Sequence, residues 1–430
     1  MKQITAILLG AGNRGAEALG SYALQFPDEI KIVAVAEPRY DRKTFFAREH
    51  GISEENAVDN WEDLLAREKF ADCVLICMPD RLHYPAALAA LKRGYDVLCE
   101  KPMGCTYQQV MELKNTADAL SRTLCICHVL RYTVHAEKVK ELLDGGAIGQ
   151  LVNIHHIESI SYWHMAHSFV RGNWRNTEGS SSLILQKCCH DMDLLSWLIG
   201  SPCTHVSSFG SLTHFKAENR PNGAADRCLD NCCAAENCPY YAPRFYLDHP
   251  RAKQDGFDRI VSMDTSTDGI MEALRTGPYG RCVYACDNDV SDHQVVNLLF
   301  ENGVTVGLTV SAFSEKYERV MNFMGTHGQL IMNMDEHRIE LWEYASGKHM
   351  IIPLVVPTGG HRGGDPAMMK DFLSLLRKEK HESRISAAQS LEGHLMALAA
   401  EESRLQNGKV IDLKQWKQNF SSSTLSEAEI

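Results

Sequence analysis

Residues 4–15 read Ile4-Thr5-Ala6-Ile7-Leu8-Leu9-Gly10-Ala11-Gly12-Asn13-Arg14-Gly15. The first six form an unbroken apolar run, suited to a strand buried on both faces, and a GxGxxG pattern follows without a gap. Gly10 permits a tight turn, Gly12 lets a ligand approach the backbone, and Gly15 lets the next helix pack close to the strand. That helix starts near Asn13 and Arg14, and its N-terminus offers amide donors to phosphates. Gly-rich turns also occur without ligands, so the second strand matters. Residues 31–36 are again apolar and end at Glu37. The acid falls at roughly the twenty-residue distance at which such folds bind a ribose diol. Strand, glycines, helix, strand and terminal acid together point to a dinucleotide. Glu37 would repel a 2′-phosphate and so favours NAD, while Arg39 leaves NADP open.

The alternation continues with a helix near 61–67, a strand at 73–77, a helix over 84–93 and a strand at 96–99. This is a doubly wound βα pattern, a Rossmann domain with a parallel sheet over residues 1–130. Chemistry in such sheets gathers at the carboxyl ends of strands. Two groups fall there: Pro79, Asp80 and His83 after one strand, and Glu100-Lys101-Pro102 after the next. The 430 residues leave room for a second cored domain over 131–430. Beyond residue 150, apolar runs at 151–157, 295–300 and 304–310 alternate with turns such as Asn302-Gly303, predicting a large, open, mainly antiparallel sheet in an α/β domain. The formal charge of -11, with no basic block, argues against nucleic acid. No segment approaches a membrane span, and the first apolar run is too short for a signal peptide. A cytoplasmic enzyme is expected. Cys73, Cys77, Cys99, Cys125 and Cys127 lie singly in apolar runs and read as core thiols.

At Glu100-Lys101-Pro102 the chain resembles the Gfo/Idh/MocA oxidoreductases, relatives of glucose-fructose oxidoreductase and inositol 2-dehydrogenase. The likeness extends through the glycine motif, the Pro79-to-His83 turn, Gly145-Gly146-Ala147-Ile148-Gly149 and the stretch from His190 to Gly200. It implies that the C-terminal sheet shows one face to the nicotinamide and the other to a neighbouring subunit, giving a homo-dimer or homo-tetramer. It also implies that Glu100 and Lys101 border the cofactor, with Lys101 contacting the nicotinamide ribose and the reacting hydroxyl. His190 would serve as the acid/base, work suited to a group titrating near neutrality. Many members carry an aspartate four residues before that histidine, where this chain has Gln186. A neutral amide cannot raise histidine basicity as a carboxylate does. Lys187, beside the apolar residues 183–185, is a third catalytic candidate, since desolvation there would lower its pKa toward that of a base. Asp191 reads either as its ion partner or as a first-turn acid favoured by the helix dipole.

Residues 163–175 concentrate Trp163, His164, His167, Arg171 and Trp174. Aromatic faces can cover the apolar side of a pyranose while His and Arg satisfy its hydroxyls, so these five join Gln186 and Asp191 as substrate-binding candidates. The resemblance narrows here to a glycoside-acting branch, some of whose members act at the sugar 3-hydroxyl. Near 216–262 a polar, Cys-rich insertion carries Cys228, Cys232 and Cys238, and its poverty in apolar residues predicts a staple rather than a core. A structural zinc with Cys282 or Cys286 as fourth ligand is one reading, and reduced or disulfide-bonded thiols the other. The expected activity is hydride transfer between NAD and a hydroxyl-bearing carbon of a sugar or glycoside. Two rivals stand beside it. One is a redox-neutral, NAD-dependent glycosidase passing through a 3-keto intermediate, which needs a second base from among Lys187, His167 and His164. The other is a nucleotide sensor without chemistry.

Overall fold

The computed structural model describes residues 2–358 and 360–426. Six strands, β1 (Ile4–Leu9), β2 (Ile30–Ala36), β3 (Ala57–Val58), β4 (Cys73–Ile76), β5 (Asp96–Cys99) and β6 (Leu124–Ile126), form one sheet in the order β3-β2-β1-β4-β5-β6. Every pairing is parallel. This is the doubly wound order whose switch point lies between β1 and β4. The strands are short and almost wholly apolar because helices cover both faces. The helix expected over 84–93 begins earlier, at Asp80. Its polar first turn reads as loop in the sequence, yet an acid at a helix start is favoured by the dipole.

Nine strands build the second sheet: β7 (Leu151–Ser161), β8 (Cys203–Ser211), β9 (His293–Phe300), β10 (Thr305–Ser314), β11 (Glu318–Gly325), β12 (Gly328–Asn333), β13 (Arg338–Glu343), β14 (Lys348–Pro353) and β15 (Ile411–Asp412). Their order is β14-β13-β12-β11-β7-β10-β9-β8-β15, and among the described residues β7 with β10 is the one parallel pair of this sheet. Burial alternates along β9 and β10, the signature of a sheet with one covered and one open face. The Ala387–Leu405 helix packs on β8 and on the Cys189–Ile199 helix. The open face carries Ile157, Phe209, Val295, Leu299 and Phe313. The chain then returns to the first sheet, where the Ile126 amide donates to Ile385 O (2.8 Å). No helix among the described residues is long and apolar enough to cross a membrane.

The insertion departs from expectation. It has a small core of its own, in which Ala242, Tyr246, Phe257 and Val261 pack with Ile270, Leu274 and Trp163. The apolar residues its own sequence lacks are borrowed from Trp163 and the Thr267–Thr276 helix.

Candidate active site

The glycine loop takes the shape its sequence implies. Gly10 sits at φ +92°, and a Cβ there would lie 2.7 Å from Cys77 O. A Cβ on Gly15 would fall 2.0 Å from Gly10 O, so this glycine lets helix and strand touch. Gly12 is different: only Arg42 Nη1, at 3.8 Å, comes near, leaving room at the helix start for a phosphate. Asn13 opens that helix. Buried Glu37 binds the loop from below, accepting from the Ala11 amide (2.9 Å) and the Arg39 amide (3.0 Å). Arg14 is spent within the protein. Its guanidinium pairs with Glu100 (2.7 Å) and with both oxygens of Asp365 (2.7 and 3.1 Å), tying the loop to the end of β5 and to the Gly364–Leu376 helix.

At the end of β4, Pro79 caps the Asp80–Lys92 helix. His83 bridges Met78 O and Pro102 O, each at 2.7 Å, and so fixes the loop that follows β5. Lys101 precedes Pro102 through a cis peptide bond. Its ammonium donates to Gln186 O (2.5 Å), at the turn that carries Lys187 and leads into the His190 helix. Burial pulls the Lys101 pKa below its ordinary value against the pull of Asp80 and Glu100. The His190 pKa lies well below the ordinary 6.5, through burial first and the nearby Lys101 charge second. His190 Nδ1 is buried and unpartnered. His164 is likewise pushed well down, by burial and by Lys187, with Lys101 also acting on it. Lys101, Lys187, His164 and His190 therefore share one electrostatic neighbourhood at the carboxyl end of β5.

Lys187 corrects the sequence reading. Burial does oppose its charge, but Tyr317 and Glu158 outweigh burial, and the pKa rises above the ordinary lysine value. Lys187 Nζ donates to Tyr317 Oη (3.0 Å) and lies 3.3 Å from Glu158. It is held as a cation, unsuited to act as a base. Its partner is Glu158 rather than Asp191. Asp191 pairs with Arg319 (2.6 Å), which also meets Glu158 (2.9 Å), and all three are buried. Arg319 keeps the Asp191 carboxyl well below the usual range despite burial. Sequence reading missed Tyr317, Glu158 and Arg319, which lie on or beside β7 and β11 with no local motif to mark them.

The substrate-segment residues divide. His164 stays at the site, beside Tyr317 and Phe257 (ring centroids 5.8 and 5.4 Å). Trp174 is 36% exposed and donates its indole N–H to Asp80 (2.9 Å). Trp163 stacks on Phe245 (5.5 Å) in the insertion core. His167 is stacked on Tyr279 and bonded to Tyr246 Oη (2.7 Å), its pKa pressed to about 3 by burial. Arg171 donates to Arg281 O and Tyr240 O (2.7 Å each). Gln186 spends its amide on Trp174 O (3.0 Å) and Ser181 O (3.1 Å). Cys228, Cys232, Cys238 and Cys282 line one small cavity beyond this segment, and all the cysteines are free thiols.

Two family profiles match the chain: an oxidoreductase family NAD-binding Rossmann fold over residues 4–128, and an oxidoreductase family C-terminal alpha/beta domain over 140–413. The chain belongs to the Gfo/Idh/MocA oxidoreductase family. It is 26% identical over 327 residues to the oxidoreductase YteT of Bacillus subtilis, covering 72% of this chain and 74% of YteT. It is 31% identical over 148 residues to D-glucoside 3-dehydrogenase of Escherichia coli, covering 34% of this chain and 40% of that protein. The fold matches levoglucosan dehydrogenase in complex with NADH and L-sorbose at a TM-score of 0.71 and 16% identity, over 96% of this chain and 99% of that one. Within this Gfo/Idh/MocA frame the Glu100-Lys101-Pro102 loop, the His190 helix and the glycine loop all converge on the carboxyl edge of the parallel sheet.

Proposed function

We propose that the protein transfers a hydride between NAD and a hydroxyl-bearing carbon of a sugar or glycoside. The observation that carries this is the fixing of the Lys101 ammonium against the Gln186 carbonyl, at the turn that leads into the His190 helix, with its charge felt by the buried His190. Bound nicotinamide supplies the hydride acceptor at its C4. His190, with its depressed pKa, is a neutral imidazole near pH 7 and so is ready to take the hydroxyl proton as the carbon is oxidised. Lys101, as an ammonium, stabilises the developing alkoxide. Lys187, held cationic by Glu158 and Tyr317, is suited to donating a hydrogen bond to a neighbouring hydroxyl. His164 and the exposed Trp174 supply a polar edge and an aromatic face for a ring. The match to D-glucoside 3-dehydrogenase supports this substrate class. The apolar open face of the second sheet supports self-association.

Redox-neutral glycoside cleavage would need a base beyond His190. Lys187 is cationic and His167 is spent on Tyr246, which leaves His164. Net oxidation asks for fewer groups. Incubation with an aryl glycoside and sub-stoichiometric NAD separates the readings. Net oxidation yields keto-glycoside and NADH in amounts equal to the NAD supplied. Aglycone release over many turnovers without NADH would replace this reading by the glycosidase, and nucleotide binding without turnover on any sugar would replace it by a sensor.

A further inference from the structure

We infer that Cys228, Cys232, Cys238 and Cys282 hold one zinc ion that clasps the insertion to the body of the protein. Three of these thiols come from the insertion and the fourth from a segment about fifty residues away, so something must bring them together. The backbone does so first. The Cys228 amide donates to Gly280 O and the Cys282 amide to Asp226 O, both at 2.8 Å, and Arg227 and Arg281 form an isolated antiparallel bridge.

The four side chains then line a single cavity with Pro221, Ala224, Ala225 and Ala234 on some walls and Arg171, Tyr241, Val283 and Tyr284 on the others. Four cysteines around one common space are the donor set of a closed tetrahedral zinc site. One of the four sulfurs already has donors beside it. The Ala242 amide donates to Cys228 Sγ (3.5 Å), and the Arg171 guanidinium lies 3.6 Å from the same sulfur. N–H···S bonds and a fixed cation are what offset the negative charge of a thiolate-zinc cluster. Arg171, assigned by sequence to the substrate, thereby gains a purpose.

Selection among the nearby cysteines is clear. Cys233 is exposed and directs its thiol to Asn222 O (3.5 Å), and Cys286 directs its thiol to Cys282 O (3.3 Å). Neither lines the cavity. The four that do are spread around it rather than drawn to mutual ligand spacing, and metal binding would pull them in to Zn–S distances of about 2.3 Å. Two tighter groups of potential ligands exist elsewhere. In His128–Cys189–His394, His394 already accepts from the Met103 amide (3.0 Å) and meets Ser390 O (2.8 Å). In His156–Glu158–Asp191, Arg319 already neutralises the carboxylates.

Elemental analysis of the full-length protein, expressed with zinc and desalted without chelator, is expected to find about one zinc per chain. Cys282→Ser should lose it and Cys233→Ser should keep it. Because Cys282→Ser removes a clasp that folding itself could require, a second measurement uses the wild-type chain. Titration with a mercurial in the presence of a chromogenic chelator should release the zinc in step with about four modified thiols. Wild-type protein free of zinc, zinc retained in a folded Cys282→Ser chain, or disulfides joining these four cysteines on non-reducing mass spectrometry would each overturn the inference.

Discussion

The carboxyl edge of the parallel sheet and the 163–191 region were read from the same kind of evidence, residue types at a spacing, and they behave differently. At the sheet edge Gly10, Gly12 and Gly15 occupy the positions their pattern implies. The role of Gly15 is set by backbone within a few residues, a Cβ there approaching Gly10 O to 2.0 Å, and that of Gly10 by the end of the adjacent strand at Cys77 O. In the 163–191 region chemistry depends on partners far along the chain. His167 and Arg171, chemically apt for a sugar, are consumed by Tyr246, Tyr240 and Arg281. Lys187 keeps its charge because Glu158 and Tyr317 meet it. A local motif survives folding when its job is local, and a titratable side chain takes its job from whatever tertiary structure brings to it.

The sharpest way to break that comparison is to remove the distant partner. Arg319→Met leaves Glu158 and Asp191, both fully buried, facing one another with only Lys187 and His156 nearby. Breaking a buried pair from one side costs about 3–5 kcal/mol. The exposed Arg259–Glu17 pair is the control, since a surface ion pair contributes about 0–1 kcal/mol, so Arg259→Ala should change little. Denaturant midpoints at constant m-value measure both. Equal effects from the two substitutions would mean that the buried network does not hold this region together.

Next in size comes turnover. Lys101→Ala and His190→Ala should each lower kcat about a hundredfold, the scale of losing a positioned proton-transfer group. The pH profile of sugar oxidation sharpens the roles. A base with a depressed pKa stays deprotonated to lower pH, so the acid limb belonging to His190 should fall below the ordinary 6.5. An ammonium with a lowered pKa is lost earlier as pH rises, so the alkaline limb should fall below 10.5. An acid limb at or above 6.5 that persists in His190→Ala would assign it to another group.

The fold was legible because both periodicities are strong. Buried parallel strands announce themselves as apolar runs, and the one-faced sheet announces itself as alternation along β9 and β10. Within the site, the position of Lys101 was legible from the strand end, and that of His190 from the family resemblance of the stretch that follows it. Tyr317, Glu158 and Arg319 were not, because each is an ordinary strand or loop residue until β7 and β11 pair and bring Glu158 opposite Arg319. The core of the insertion was missed for the same reason, since Trp163, Ile270 and Leu274 of that core lie outside the insertion.

The smallest expected effect tests whether the sheet edge deserves its contrast with the rest. Glu37 uses one oxygen on the Ala11 amide and the other on the Arg39 amide, which leaves lone pairs on a buried carboxylate where the adenosine ribose of a dinucleotide would lie. A ribose diol can donate to those lone pairs, whereas a 2′-phosphate would set its charge against them. The two nearby cations have other employment. Arg39 pairs with Asp41 (2.9 Å), and the guanidinium of Arg42 donates to Ile260 O (3.0 Å). NAD should therefore bind more tightly than NADP by about tenfold or more, equal to about 1.4 kcal/mol. Glu37→Gln removes the repulsion but keeps an acceptor for only one of the two amides, its NH2 facing the other, so both nucleotides should bind more weakly while the preference for NAD narrows. Titration of both nucleotides against both proteins measures this. Preferred NADP binding by the wild-type chain would show that Arg39 and Arg42 leave their partners to meet the phosphate, and that even here the decision is made by residues the glycine motif does not contain.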